Sequence, residues 1–177
     1  MRIRTLFVLG AFLLAACTSQ ATAGTVRVED RPLPELAGTG LNGEHLSSAD
    51  YRGHVLVVSV WGTWCYDCEQ DQPGFASVAN RYADQGVRFL GVDTGELGIS
   101  QSLEWVRQYD VPYPSIRDPS ERAAYTLGYV GMPATYVVDR KGTIRFSVIG
   151  GQTSETTLSS LIDQLLSGST SPTGSPV

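Results

Sequence analysis

The sequence predicts an α/β fold, a central mixed sheet flanked by helices with an N-terminal β-hairpin and a central helical insertion, on three observations. Val55 to Val60 is a short apolar run rich in β-branched residues, as a buried strand requires, and a helical pattern begins a few residues later. Val87 to Val92 repeats the strand signal after that helix, which makes a βαβ unit. Ala134 to Asp139 and Thr143 to Ile149, split by Arg140-Lys141-Gly142, then lead into a last amphipathic helix as a ββα unit.

Taken in order, the chain opens with Arg2 and Arg4 before an unbroken small or apolar run, Leu6 to Ala16. That run is too short to span a bilayer as a helix and has the layout of a secretory leader. It ends in Leu14-Ala15-Ala16-Cys17, which resembles a bacterial lipobox. The resemblance implies that residues 1–17 are a lipoprotein signal and that Cys17 is lipidated, anchoring the protein to a membrane outside the cytoplasm. Residues 18–32 read as a flexible tether, 33–166 as one domain and 167–177, rich in Ser, Thr, Gly and Pro, as a disordered tail. Net charge is −5 with no basic cluster beyond Arg140-Lys141, which argues against a nucleic-acid partner. A monomer is expected.

Within the domain, Asn42-Gly43 suggests a hairpin with a type I′ turn, and Ser47 to Tyr51 a capped helical turn ended by Gly53. The first long helix is expected from about Cys65 to about Gln85, kinked at Pro73 and closed by Gly86. Asp93 to Ile99 reads as a loop, Ser100 as the cap of a helix through Tyr109, and Ser120 as the cap of another to Leu127. Val111 to Arg117 holds Pro112 and Pro114 and leaves room for a short strand at most. Ser154 caps the last helix, with Leu158, Leu161, Ile162, Leu165 and Leu166 on one face.

Cys65 and Cys68 straddle the start of the first long helix, one turn apart on one face and close enough to join. Cys65 meets the free N–H groups and the positive end of the helix dipole, a setting that stabilises the thiolate needed for disulfide exchange. Cys68, one turn inside, suits the resolving role. A zinc site is the first competing account, but His45 and His54 lack a partner at metal-ligand spacing. A purely structural bond is the second, but the loop it closes is too short to constrain the unfolded chain much. The flanking Trp61 and Trp64 leave two chance core cysteines unexplained. The redox account is preferred.

Three stretches together resemble the TlpA/ResA-like family of membrane-tethered thioredoxins. One is Trp61-Gly62-Thr63-Trp64-Cys65-Tyr66-Asp67-Cys68 with Pro73 downstream; another is Gly131-Met132-Pro133-Ala134-Thr135; the third is the helical insertion between Gly95 and Leu127. The resemblance covers roughly residues 33–166 and implies a thioredoxin-like fold and a protein thiol–disulfide oxidoreductase without metal or organic cofactor. It further implies a cis Pro133, with Met132, Trp64 and Tyr66 beside the disulfide where substrate binds. An acid for proton handling falls at Asp71, where close relatives often carry Glu; a first-turn carboxylate favoured by the helix dipole is the other account of it. The partners implied are exported protein thiols and disulfides, apocytochrome c among them, and a membrane electron donor or acceptor protein.

Two alternatives are a peroxiredoxin-like peroxidase and a copper chaperone on the same fold. Peroxiredoxins resemble one another in a Pro and then a Thr or Ser before the reactive Cys, where this chain has Val58 and Gly62. A copper carrier would want a downstream His, and none follows His54. On direction, Asp67, Glu69 and Asp71 crowd the cysteines with no Lys, Arg or His between Val55 and Phe75. Carboxylates disfavour a further negative charge, so the expected role is reductant.

Overall fold

The computed structural model describes residues 22–168. Strands β1 (Thr25–Pro32), β2 (Ala37–Thr39) and β3 (His45–Ser47) lead into β4 (Val55–Trp61), helix α1 (Tyr66–Tyr82) and β5 (Val87–Thr94). Then come α2 (Ile99–Gln108), β6 (Ser115–Asp118), α3 (Arg122–Thr126), β7 (Ala134–Val138), β8 (Thr143–Ile149) and α4 (Glu155–Leu166). Six strands form one sheet in the order β1-β8-β7-β4-β5-β6, and β2 and β3 form a separate hairpin. β4, β5 and β6 run parallel, while β7, β8 and β1 are added antiparallel on the other side. The mixed sheet, its helices and the hairpin match the expected class.

All seven residues of β4 are buried, because the sheet is covered on both faces. Val55 and Val57 pack with Phe75 and Val78 of α1 and Leu158 and Ile162 of α4 on one face. Leu56, Val58 and Val60 pack with Leu127 and Tyr136 on the other. A bulge in β8 changes which face its residues serve: the register with β7 shifts between Val137 and Val138. Phe146 and Val148 therefore join the first cluster and Ile144 the second, which strict alternation would forbid. Packing rather than charge holds α4 down. Leu158, Leu161, Ile162 and Leu165 each contribute about 1.5–3 kcal/mol by burial, against ~1 kcal/mol at most from the exposed Arg81–Glu155 ion pair.

Several expectations need correcting. Residues 25–32, expected within the tether, form edge strand β1 on β8. Their polarity misled because an edge strand buries little: it is held by the ladder and by ties such as the Arg31 guanidinium to the Leu127 carbonyl at 2.8 Å. The turn at Asn42-Gly43 is not type I′, since only Gly43 of the pair has positive φ, at 88°. β5 runs on through Asp93 and Thr94. Gly98, not Ser100, precedes α2, and Glu121 precedes α3. The cap of α3 comes from a distance, the Asp118 carboxylate accepting the Ala124 N–H at 3.0 Å. Ser47 and Ser154 cap their helices as expected. α1 contains Pro73 and passes through a short 3₁₀ turn to Gly86 at φ 77°. The leader, Cys17 and most of the tail lie outside the described residues.

Candidate active site

β4 ends at Trp61, and the four residues 62–65 turn the chain into α1. Gly62 opens that turn because a Cβ there would lie 2.7 Å from Trp64 Nε1 and 2.9 Å from the Thr94 carbonyl oxygen. The Cys65 N–H closes it on the Gly62 carbonyl at 3.0 Å. Two ties fix the loop to the end of β5: Glu96 accepts the Thr63 N–H at 2.6 Å and also its hydroxyl, and Trp64 Nε1 donates to the Thr94 carbonyl at 3.3 Å. Cys65 thereby becomes the residue before α1, in extended backbone, and its Sγ accepts the Cys68 N–H at 3.1 Å.

Cys65 and Cys68 are joined in a disulfide with Cα atoms 5.3 Å apart. Both are buried, at 6% and 4% exposure, so covering barely separates them; the capping position does. Beneath them, Trp61 stacks on Trp105 of α2 with ring centres 4.2 Å apart, and its Nε1 donates to Ser115 Oγ at 3.2 Å. Tyr109, just past the end of α2, donates its hydroxyl to Glu69. The helical insertion is thus one wall of the site.

Asp71 lies inside α1 and is buried, with the Thr153 N–H donating to both carboxylate oxygens at 3.1 and 2.9 Å. Burial pushes its carboxyl up to about 7 against the pull of that N–H, and Asp67 adds to the rise. Cys68, Asp71 and Pro133 line one small cavity together with Thr135. The Met132–Pro133 bond is cis, and Met132 packs partly buried against the cysteine cluster. Trp64 and Tyr66 stand at 56% and 71% exposure on the rim. A wider groove along Arg81, Ser159 and Asp163 holds no thiol. His45 lies on β3 and His54 Nδ1 sits 3.3 Å from the Gly86 carbonyl oxygen, and neither joins the cysteines.

Four contributors escaped the sequence reading: Glu96, Trp105, Thr153 and a second buried acid, Asp93. Asp93 is fully buried and neither carboxylate oxygen has a hydrogen-bond partner. Burial pushes it up to about 6; the Ser102 hydroxyl pulls it back without reaching hydrogen-bond geometry, Glu96 and Asp118 push it up and Arg117 pulls it down. Trp105 and Ser102 carried a signal, since they sit three apart on α2 and face its buried side. Glu96 and Thr153 carried none, for their partners are 33 and 82 residues away.

Residues 30–147 match the AhpC/TSA family. The chain is 29% identical over 122 residues to the thiol-disulfide oxidoreductase ResA of Bacillus thuringiensis subsp. konkukian, covering 69% of this chain and 70% of that protein. It is 32% identical over 126 residues to the thiol:disulfide interchange protein DsbE of Pseudomonas fluorescens biotype C, covering 70% and 68%. Among solved structures, a DsbF homologue from Corynebacterium diphtheriae superposes with a TM-score of 0.73 at 25% identity, covering 88% of this chain and 100% of that one.

The state of Asp71 makes stability depend on pH. Its carboxyl titrates near 7 in the fold and near the ordinary 3.8 in the unfolded chain, so the fold keeps a proton that the unfolded chain releases. Stability from this group is full below about pH 4 and is lost as pH rises through about 7. Asp71→Asn should remove that loss, leaving the shallower fall that Asp93 causes up to about pH 6. Urea midpoints at about pH 5 and about pH 8 check this. Parallel losses in wild type and variant would show that Asp71 is not held protonated.

Proposed function

The chain belongs to the AhpC/TSA family, and from that premise we propose that its Cys65–Cys68 pair exchanges with the disulfides and thiols of exported proteins. It is a protein thiol–disulfide oxidoreductase, similar in sequence to proteins named for that activity. One observation carries the reading: the disulfide sits at the start of α1 with Cys65 Sγ in the capping position. On reduction, the Cys68 N–H and the helix dipole act on whatever charge that sulfur takes, which favours the thiolate. Cys65 attacks a substrate disulfide, one substrate sulfur leaves as thiolate, and a mixed disulfide remains. Cys68 then attacks Cys65 Sγ, the second substrate thiolate leaves, and the two electrons of the pair have passed to the substrate. Asp71, partly protonated near neutral pH and lining the same cavity as Cys68, takes the Cys68 proton and returns it in this reading. Trp64, Tyr66 and Met132 form the contact surface for an extended substrate segment, and apocytochrome c is one substrate this reading accommodates.

The N-terminal sequence supports an extracytoplasmic protein held by lipid at Cys17, with residues 18–21 as the remaining tether and 167–177 as a tail. The direction is reduction. Asp67 and Glu69 lie in the first turn of α1 and oppose a thiolate at its start, offsetting a dipole contribution on the order of 1 kcal/mol. A weakly stabilised thiolate leaves the dithiol ready to give up its electrons.

Cys68→Ser should accumulate mixed disulfides with exported proteins while Cys65→Ser should not; equal trapping by both would defeat the assignment of roles. Equilibration with glutathione should give a potential well below the about −120 mV of strong oxidants, and Asp67→Asn should raise it. A strongly oxidising wild type would reverse the direction. Cys17→Ser should move the protein from the membrane fraction to soluble material with exchange intact, and continued retention after a high-salt wash would count against the anchor.

A further inference from the structure

Gln72 is a buried polar residue beside the disulfide to which the exchange reaction gives no task. It follows Asp71 on α1, is 2% exposed, and its Oε1 accepts the Tyr113 hydroxyl at 3.0 Å. Its Nε2 is buried with no hydrogen-bond partner in the protein. An amide donor in that position is costly unless something accepts from it. Gln72 also lines the cavity shared by Cys68, Asp71, Ser59, Thr135 and Pro133. The cavity measures about 10 Å³, close to the space one water needs, and its polar wall offers the two to four partners that a buried water requires.

We propose that Gln72 is a positioning residue of the exchange reaction: its amide, oriented by the Tyr113 hydroxyl, donates to a single water in this cavity, and that water carries the proton between the Cys68 thiol and the Asp71 carboxylate. The proposal rests on the reading of Cys65 as nucleophile and Cys68 as resolving thiol. In the resolving step the Cys68 S–H bond breaks, its proton passes to the water, and the water gives one of its own to Asp71. The Cys68 thiolate forms the bond to Cys65 Sγ as the bond from Cys65 to the substrate sulfur breaks. The departing substrate thiolate takes a proton from solvent. The reverse sequence serves reduction of the pair.

Tyr113 can hold the amide throughout this cycle, because burial pushes its phenol well above the usual range and keeps it a donor. The acid it serves is poised to accept, with burial raising Asp71 to about 7. The titratable neighbours acting on Asp71 are few. Asp67 comes from its own helix and Tyr113 from the segment before β6, while Thr135 of β7 and Thr153 beyond β8 bring only neutral groups.

The test separates the two thiols. Reduced protein is mixed with the aromatic disulfide dithiobis(nitrobenzoate) in stopped flow, where a first coloured thiolate reports attack by Cys65 and a second reports resolution by Cys68. Gln72→Leu, of similar size, should leave the first phase unchanged and slow the second on the order of tenfold near neutral pH. The gap should close as pH rises past about 8.5, where a thiol ionises unaided. Tyr113→Phe should slow the same phase by a smaller factor, and it serves as the test if Gln72→Leu does not fold. A second phase that superposes on wild type, or an equal slowing of both phases, would overturn the proposal. Absence of a second phase in wild type would instead sink the exchange function itself.

Discussion

A helix begins with N–H groups that have no partner within it, and here the sulfur of Cys65 accepts one of them. Ser, Thr or Asp would meet that need with oxygen. Sulfur is the weaker acceptor while neutral and a far better one when charged. A thiolate at Cys65 would therefore strengthen a contact the backbone already makes. The rest of the site maintains this geometry. β4 is buried on both faces and carries the turn, Glu96 and the Thr94 carbonyl hold the turn to β5, and the Trp61–Trp105 stack packs in one buried cluster with the two cysteines.

The legible parts of the fold were those written in local pattern. The βαβ and ββα units, the caps at Ser47 and Ser154, and the placement of Cys65 and Cys68 about the start of α1 all follow from periodicity and short spacings. Edge strand β1 carries only the short alternation of Val26 and Val28 with Arg27 and Glu29, and its stability comes from pairing with residues more than a hundred positions away, which that pattern does not announce. The cap of α3 failed for a related reason: Ser120 stood at the expected spacing, but the folded chain brought the Asp118 carboxylate to the Ala124 N–H instead.

Two acids show how far the environment of a side chain is decided by tertiary structure. Asp71 was visible as a first-turn carboxylate or a functional acid, and its spacing from Cys68 could not choose between them. The loss of solvent around the group, opposed in part by the Thr153 N–H arriving from beyond β8, makes it an acid that titrates near neutrality. Asp93 read as the start of a polar loop, yet it lies within β5, fully buried, and its carboxylate has no hydrogen-bond partner. The stack of Trp105 on Trp61 connects the helix above Asp93 to the cysteine cluster.

The pairing of the N-terminal segment with the residues after β8 fixes where the chain enters the fold. Gly24 N–H donates to the Gln152 carbonyl at 2.8 Å, Gln152 N–H donates to the Thr22 carbonyl at 2.9 Å, and Gln152 Nε2 lies 3.4 Å from Asp67 Oδ1. The chain therefore enters the fold on the side of the molecule that bears the disulfide. Five residue steps from position 17 to position 22 reach at most about 18 Å when fully extended. A surface holding residue 17 would keep the disulfide side turned toward it, within the reach of a partner embedded there and shaded from bulky ones in free solution. Lengthening the segment before Thr22 would then change which molecules the cysteines can meet without touching the site itself.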